Sequence, residues 1–301
     1  MKKYQVYQVD AFTTQRFTGN PAGVVSNADG LTDTQMQAIA RELNNSETAF
    51  ILSPTAPDHE VWIRFFTPTT EVPLCGHATI SAHFVRALEK KLPSCTVIQK
   101  TGIGILPVAI IEQDDGYKVV MTQGRIEFSP PLAETERNAI VAALGLSEHD
   151  LDQRCPIQIV STGHSKVLIG INSRGTLNSL KPDLTRLVEL SRMIRCNGYF
   201  VFTISSDSAD VLAHGRMFAP AIGVPEDPVT GNANGPLGAY LIKHRLVKTG
   251  NGVFTFRAKQ GEAIGRAGIV EVEVDVQNGE PAQVRVGGRA VVAFKTEFEI
   301  E

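Results

Sequence analysis

Residues 71–79 read EVPLCGHAT, and residues 226–234 read EDPVTGNAN. Glu, Pro, Gly and Ala recur in the same register, and Gly76 and Gly231 lie 231 − 76 = 155 positions apart. A repeat at such a distance indicates two copies of one structural unit. The sequence therefore predicts two similar halves.

The repeat extends upstream of each glycine. Residues 64–68 read RFFTP and residues 216–220 read RMFAP, with three more residues in the second connecting loop. In each copy a strand leads through a Pro-containing turn into a helical stretch without charged side chains, over 78–85 and 231–242. Such a helix must be buried on every face. Its N-terminus still presents unpaired N–H groups and a partial positive charge, so two such ends facing one cleft predict a site for anionic groups.

The overall composition is that of a soluble globular protein. The 301 residues are 43% apolar and 20% charged, and the formal net charge is −3, which suits two ordinary domains and excludes a basic face for nucleic acid or anionic lipid. No segment approaches the ~20 apolar residues of a membrane span, and no signal-peptide pattern is present. The four cysteines form no CxxC pair. We therefore expect a cytoplasmic protein with reduced thiols.

The order of predicted elements indicates an α+β fold. Strands outnumber helices and come in runs, which favours mixed sheets. Residues 32–35, TDTQ, have the form of a capping box that opens a helix. The two buried helices are expected over about 77–91 and 235–245. The second is expected to begin a little after Gly231, because Pro236 is tolerated only in the first turn of a helix.

The two halves differ at the positions where chemistry is expected. Their alignment places three residues of the first half opposite different residue types: Glu47, Cys75 and His77 opposite Gly198, Thr230 and Asn232. Only the first half offers a carboxylate at this point. An unduplicated acid within a duplicated anion-binding frame is a candidate general acid/base.

Six short motifs of the chain together resemble those of a known family. They are Asp10-Ala11-Phe12, Gly19-Asn20-Pro21, Ser46-Glu47, Phe66-Thr67-Pro68, Gly76-His77 and EDPVTG at residues 226–231. In this order and spacing they look like the PhzF family, the phenazine-biosynthesis isomerase-like group within the diaminopimelate epimerase and proline racemase superfamily. The likeness covers essentially the whole chain and is strongest to the bacterial YddE-type members.

The resemblance implies the architecture and the type of enzyme. It implies an α+β, diaminopimelate epimerase-like fold of two pseudo-symmetric domains, each a mixed β-sheet wrapped around a central helix, with the active site between them. We expect an N-terminal domain of residues 1–124 with about 290–301, and a C-terminal domain of residues 125–289. The resemblance also implies a small anionic, carboxylate-bearing substrate, isomerisation without metal or other cofactor, and a homodimer.

The resemblance further implies roles for particular residues. In the phenazine enzyme one glutamate carries a proton between positions of an acidic dihydro-aromatic substrate, and Glu47 matches it. The active-site histidine and aspartate of that enzyme match His77 and Asp227. Seven further residues are expected to bind substrate: Gly19, Asn20, Cys75, Gly76, Thr230, Gly231 and Asn232. The chain departs from the phenazine enzyme at two of them, with Cys75 in place of an alanine and Asn232 in place of a serine.

The residues alone leave other interpretations open. His77 could be an ordinary helix residue packed against the cap, and Asp227 could be a turn acid that caps the following helix. Cys75 lies where racemases of the superfamily have one of two catalytic thiols, but Thr230 stands at the other position and cannot act as the second acid. Phosphate-loop, nucleophile-elbow and paired-histidine metal patterns are not found.

The predicted function is a cofactor-independent isomerase with Glu47 as the general acid/base, assisted by His77 and Asp227. Two alternatives remain at this point. One is an amino-acid racemase or epimerase that depends on Cys75. The other is a non-catalytic protein of the same fold that binds small anions.

Overall fold

The computed structural model of the protein describes residues 2–204 and 210–300. Contacts divide the chain into two compact units. Unit 1 comprises Met1–Thr122 with Gly287–Glu301, and unit 2 comprises Gln123–Val286. Glu301, which ends the segment predicted to belong to the N-terminal domain, lies outside the described residues.

Unit 1 consists of eight strands from the N-terminal part of the chain, two helices and the end of the last strand. In chain order these are β1 (Lys2–Ala11), β2 (Asn20–Val25), α1 (Asp33–Leu43), β3 (Thr48–Leu52), β4 (Val61–Phe66), β5 (Glu71–Val72), α2 (Gly76–Lys90), β6 (Cys95–Thr101), β7 (Gly104–Gln113), β8 (Gly116–Thr122) and part of β17 (Glu280–Ile300). The 21 residues of β17 cross the boundary between the two units at 286/287.

The strands of unit 1 form a closed ring around α2. β1 pairs antiparallel with β2, β2 parallel with β3, β3 antiparallel with β4, β4 parallel with β6, and β6, β7 and β8 follow antiparallel. β17 pairs with both β1 and β8 and so closes the ring. Every residue of α2 from His77 to Ala87 is buried. The prediction of a helix covered on all faces is confirmed.

Local sequence signals explain where α1 begins and ends. The Thr32 hydroxyl accepts a hydrogen bond from the Gln35 backbone N–H, and the Gln35 side chain accepts one from the Thr32 N–H, which confirms the capping box. Asn44 ends the helix in the left-handed conformation (φ 52°), which asparagine adopts more readily than most residues. Its end brings the chain directly to Glu47 and β3.

Unit 2 has the same organisation. Its elements are β9 (Glu127–Pro131), α3 (Glu134–Ala143), β10 (Gln158–Ser161), β11 (Ser165–Gly170), α4 (Arg174–Ser179), α5 (Leu184–Ile194), β12 (Tyr199–Thr203), β13 (Ala213–Ala219), β14 (Val224–Asp227), α6 (Gly231–Lys243), β15 (Gly252–Gln260), β16 (Gly268–Gln277) and the first part of β17.

The pairing in unit 2 repeats that in unit 1 strand by strand. β10–β11 is antiparallel, β11–β12 parallel, β12–β13 antiparallel, β13–β15 parallel and β15–β16 antiparallel. The same alternation runs through β1, β2, β3, β4, β6 and β7 of unit 1. The central helix of unit 2, α6, is buried from Gly231 to Ile242 except at Asn232. The predicted α+β architecture, with a mixed sheet around one helix in each half, is confirmed.

The predicted start of the second buried helix was wrong. α6 begins at Gly231 and contains Pro236 in its interior. A proline at this position removes only one intrahelical bond, the one to the carbonyl of Asn232. Burial of nearly the whole helix stabilises it enough to include the proline.

The residues shared by the two copies of the repeat hold the same local structure. Arg64 donates from Nε and Nη2 to both carboxylate oxygens of Glu71, at 2.8 and 2.7 Å. Arg216 makes the same two bonds to Glu226, at 2.9 and 2.7 Å. Each guanidinium also lies over the ring of the phenylalanine two positions later, at 5.1 and 5.0 Å. The repeated Arg, Phe and Glu therefore fasten the turn that precedes each central helix.

The cysteines and the helices bear on two expectations from the composition. The four cysteines are not joined in disulfides. Among residues 2–204 and 210–300, no helix combines the length and the apolarity that a membrane crossing needs.

Candidate active site

In unit 1 the candidate residues meet at the first turn of α2. Gly76 is the first residue of the helix, and Cys75 precedes it in an extended conformation (φ −140°). The first turn contains no acidic side chain, so the partial positive charge of the helix end is not neutralised from within the helix. Cys75 Sγ turns toward the ring of His77.

The imidazole of His77 lies between a thiol and a carboxylate. Its Nδ1 is 3.4 Å from Cys75 Sγ, and its Nε2 is 3.5 Å from Glu47 Oε2 and 3.4 Å from Ser46 Oγ. The Glu47 side chain is 22% exposed and that of His77 is 9% exposed. Glu47 is thus shielded from most solvent, although part of its side chain stays accessible.

One proton arrangement satisfies all of these contacts. If the Cys75 thiol donates to Nδ1, the ring carries its own proton on Nε2 and presents it to Glu47 and Ser46. The neutral ring then supports the negative charge of the Glu47 carboxylate. The same Nε2–H can also donate a hydrogen bond to a bound molecule.

The three residues could also offer ligand atoms to a metal. One ligand atom each from Glu47, Cys75 and His77 lies within 4.8 Å of the others. However, the two neighbours contact opposite ring nitrogens, and a metal ion takes only one nitrogen of a histidine. Binding an ion between all three would require the side chains to rearrange. The prediction of a site without metal stays a prediction.

Gly19 and Asn20 lie at the end of the sheet where β3 begins. Gly19 has φ +64°, and a Cβ there would lie 2.2 Å from the backbone oxygen of Ala11, so only glycine fits. Asn20, fully buried, opens β2. β2 runs parallel to β3 with Gly23 opposite Thr48, so Ala22 lies beside Glu47 and Asn20 lies two residues further along, at the same end of the sheet.

In unit 2 Asp227 and Thr230 form a hydrogen-bonded pair before α6. Thr230 Oγ1 donates to Asp227 Oδ2. Gln260 holds both residues: its Nε2 donates to Thr230 Oγ1 at 3.1 Å and to the Asp227 carbonyl at 2.8 Å, and its Oε1 accepts from the Thr230 N–H at 3.1 Å. No sequence signal indicated Gln260, which ends β15 and follows no recognisable motif.

Gln123 holds the first turn of α6. Its Nε2 donates to the Gly231 carbonyl at 3.2 Å and to Asn232 Oδ1 at 3.1 Å, and its Oε1 accepts from Thr162 Oγ1 at 2.7 Å. A Cβ at Gly235 would lie 1.8 Å from Gln123 Oε1, so this contact requires glycine there. Gln123 is a second positioning residue that the sequence did not reveal.

In unit 2, the side chain of Lys166 lies beside Gly198, the residue that the repeat aligns with Glu47 of unit 1. A Cβ on Gly198 would lie 2.4 Å from Lys166 Cδ, so the lysine stem fills the space that a larger side chain would need. Burial lowers the pKa of Lys166, and the nearby charge of Asp227 acts in the opposite direction. A lysine at the start of the apolar strand β11 was the available sequence signal for this residue.

The predicted site residues therefore fall into two groups, one at each central helix. In unit 1 the structure brings together Glu47, Cys75, Gly76 and His77, with Gly19 and Asn20 at the same end of the sheet. In unit 2 it brings together Asp227, Thr230, Gly231 and Asn232.

Comparison with known proteins places the chain in a family. The model of the PhzC-PhzF family, described as phenazine biosynthesis-like protein, matches residues 9–296. The chain belongs to this family. An uncharacterized isomerase of Clostridium acetobutylicum is 59% identical over 298 residues, with 99% of each chain covered. The uncharacterized isomerase YddE of Escherichia coli is 48% identical over 299 residues, again with 99% of each chain covered. The prediction of a PhzF-type isomerase is confirmed at this level.

Solved structures confirm the fold of the family. The PhzF-family phenazine biosynthesis protein of Bacillus anthracis superposes with a TM-score of 0.88 at 32% identity, and all of both chains is covered. A hydroxyproline epimerase of Agrobacterium vitis superposes with a TM-score of 0.63 at 13% identity, covering 99% of this chain and 91% of its own. The second match shows the fold alone, and it agrees with the predicted epimerase-like architecture.

Proposed function

We propose that this protein is a cofactor-independent isomerase that moves a proton on a small carboxylate-bearing substrate, with Glu47 as general acid/base. One observation carries the proposal. The Glu47 carboxylate is largely shielded from water and lies 3.5 Å from His77 Nε2, at the N-terminus of a buried helix that has no acid in its first turn. A base and a site for negative charge are thus adjacent.

The reaction follows from these two features. Glu47 removes a proton from a carbon atom activated by the substrate carboxylate, and the electron pair of the broken C–H bond delocalises toward that carboxylate. Backbone amides of Gly76 and His77 stabilise the enolate-like charge. The protonated Glu47 then gives its proton to another carbon of the same molecule. The atoms balance without an oxidant or a leaving group.

The proposal also gives binding roles to the residues before and at the start of α6. Asp227, oriented by Thr230 and Gln260, binds a hydroxyl or amino group of the substrate. Backbone amides of Gly231 and Asn232 bind further anionic groups. Lys166, a cation partly shielded from solvent near Asp227, binds a carboxylate group of the substrate.

A second candidate function is a thiol-dependent racemase or epimerase. The observation that favours it is the 3.4 Å contact between Cys75 Sγ and His77 Nδ1 beside a helix N-terminus, an environment that activates thiols. Against it, the hydroxyl of Thr230 donates to Asp227, and a threonine cannot replace the second thiol. The Glu47 mechanism therefore accounts for more of the structure.

Solvent-deuterium incorporation tests the proposal directly. Small cyclic and amino carboxylates are first screened for binding by thermal shift, and those that bind are incubated with the protein in D2O and followed by NMR. We expect at least one to gain deuterium at carbon in the presence of the protein only. Binding without any deuterium incorporation would instead support a non-catalytic anion-binding protein.

A further inference from the structure

A separate pocket lies in unit 1 at the C-terminal end of α2. Its volume is about 190 Å³, and it is lined by the segment after β2, the end of β3, the start of β4 and the last turns of α2. Arg86 contributes to its wall. Because Arg86 lies 86 − 77 = 9 residues beyond His77, the two are about 14 Å apart along the helix axis. The pocket is therefore distinct from the residues around Glu47.

Arg86 is a buried charge with an unused donor. The residue is only 9% exposed, and its Nη1 is enclosed without a hydrogen-bond partner among the residues that the structure describes. A guanidinium stays charged at all physiological pH values. A buried charge destabilises a protein unless it is paired, and a buried donor without an acceptor adds to that cost. An anion held in the pocket against the accessible part of the guanidinium would supply the missing countercharge.

The neighbouring histidine on α2 does not change the charge of this end of the helix. Burial lowers the pKa of His83 to about 4, and the positive charge of Arg86 acts in the same direction. The ring is therefore neutral at physiological pH, and its Nε2 contacts Gln99 Oε1 at 2.9 Å. Arg86 remains the fixed charge at this position.

Three exposed acidic residues also line the pocket: Asp29, Glu60 and Glu89. Each carboxylate is positioned by a hydrogen bond from elsewhere, Asp29 from Ser53 Oγ at 2.6 Å, Glu60 from the Ile98 N–H at 3.0 Å and Glu89 from Tyr7 Oη at 2.7 Å. A carboxylate has about four lone-pair sites. All three can therefore accept further hydrogen bonds from a cationic group.

We propose that this pocket binds a small amino carboxylate, with the carboxylate on the Arg86 guanidinium and the ammonium group among Asp29, Glu60 and Glu89. The planar fork of arginine matches a carboxylate in two parallel hydrogen bonds. The three acids attract the ammonium group and repel a polyanion. A volume of about 190 Å³ exceeds that of an engineered protein cavity of about 150 Å³ that binds benzene, so it suits a small amino acid.

NMR titration of the 15N-labelled protein tests this proposal with glycine, acetate and inorganic phosphate. Glycine is expected to shift the Arg86 Nε–H signal and the backbone amides of Asn27 and Ser53. Acetate, which lacks the ammonium group, should bind at least about threefold more weakly, and phosphate more weakly still. Absence of a glycine response at Arg86, or acetate or phosphate binding as tightly as glycine, would overturn the proposal.

Two variants serve as controls. Arg86→Met should abolish the response to glycine at Asn27 and Ser53, whereas Lys90→Gln, an exposed cation on the same wall, should change the affinity less than about twofold. Without ligand, Arg86→Met should melt at or above the wild-type temperature, because it removes an unsatisfied buried charge. A drop of more than about 5 °C would show that the guanidinium is already satisfied within the protein and would contradict the proposal.

Discussion

Arg216 forms a two-bond ion pair with Glu226, and only 8% and 13% of the two side chains are exposed. Arg216 also donates to the backbone carbonyls of Leu177 and Leu180. The corresponding pair in unit 1 lies nearer the surface, since 44% of the Glu71 side chain is exposed. One motif is therefore repeated in two different dielectric environments.

The two pairs should differ in their contributions to the free energy of unfolding. Glu226→Gln leaves a buried guanidinium without its countercharge and should cost about 3 kcal/mol. Glu71→Gln should cost about 1 kcal/mol or less, because Arg64 keeps a contact of 2.6 Å to Asp33. Urea unfolding of both variants provides the comparison. Equal losses would contradict the assignment of Arg216 as a buried anchor.

Stability should fall in acid through the protonation of His83. Its pKa in the folded protein is about 4, below the ordinary value of 6.5, so the unfolded chain binds the proton first as the pH falls. The contribution is complete above pH 6.5, declines between pH 6.5 and 4, and amounts to about 3 kcal/mol. We expect His83→Gln to lose less stability than the wild-type protein over this range, measured by urea unfolding at several pH values. Parallel profiles for the two proteins would show that His83 is not buried in its neutral form.

Much of the fold follows from composition and repetition. A helix without charged residues requires burial, and this holds for both α2 and α6. The sequence missed β9, whose five residues end in two prolines, and α4, whose six residues are too short to show a helical period. The predicted start of α6 was also too late, because proline was expected only in the first turn of a helix. That expectation counts the hydrogen bond lost at Pro236 but not the burial that stabilises the helix around it.

The sequence predicted the acidic residue of the candidate site, Glu47, but not the residues that position its neighbours. The absence of a counterpart in the second half indicated Glu47. Residues two apart on a helix do not face each other, so the spacing of Cys75 and His77 did not predict their contact. It forms because Cys75 is extended before the helix begins. Gln123 and Gln260 could not be found, since polar residues at strand ends have no distinctive pattern.

Replacing Cys75 separates the two candidate enzymes. Cys75→Ala should retain turnover within about tenfold, because the thiol orients His77 in the proposed mechanism and does not accept the substrate proton. A thiol-dependent racemase would lose about 10³-fold or more when its nucleophile or base is removed. The rate of deuterium incorporation into a bound carboxylate is the measurement. Alkylation of the wild-type protein by iodoacetamide is the complementary experiment, and it reports whether a blocked Cys75 still allows exchange.

The central claim is that Glu47 carries the proton, and Glu47→Gln tests it most directly. This variant keeps the size and hydrogen-bonding capacity of the side chain but cannot accept a proton from carbon. The matched control is Glu42→Gln on the exposed face of α1. With the same substrate in D2O, we expect Glu47→Gln to slow deuterium incorporation by about 10²–10⁴-fold with an unchanged melting temperature, and Glu42→Gln to match the wild-type protein. Wild-type exchange rates in a folded Glu47→Gln protein would contradict the account.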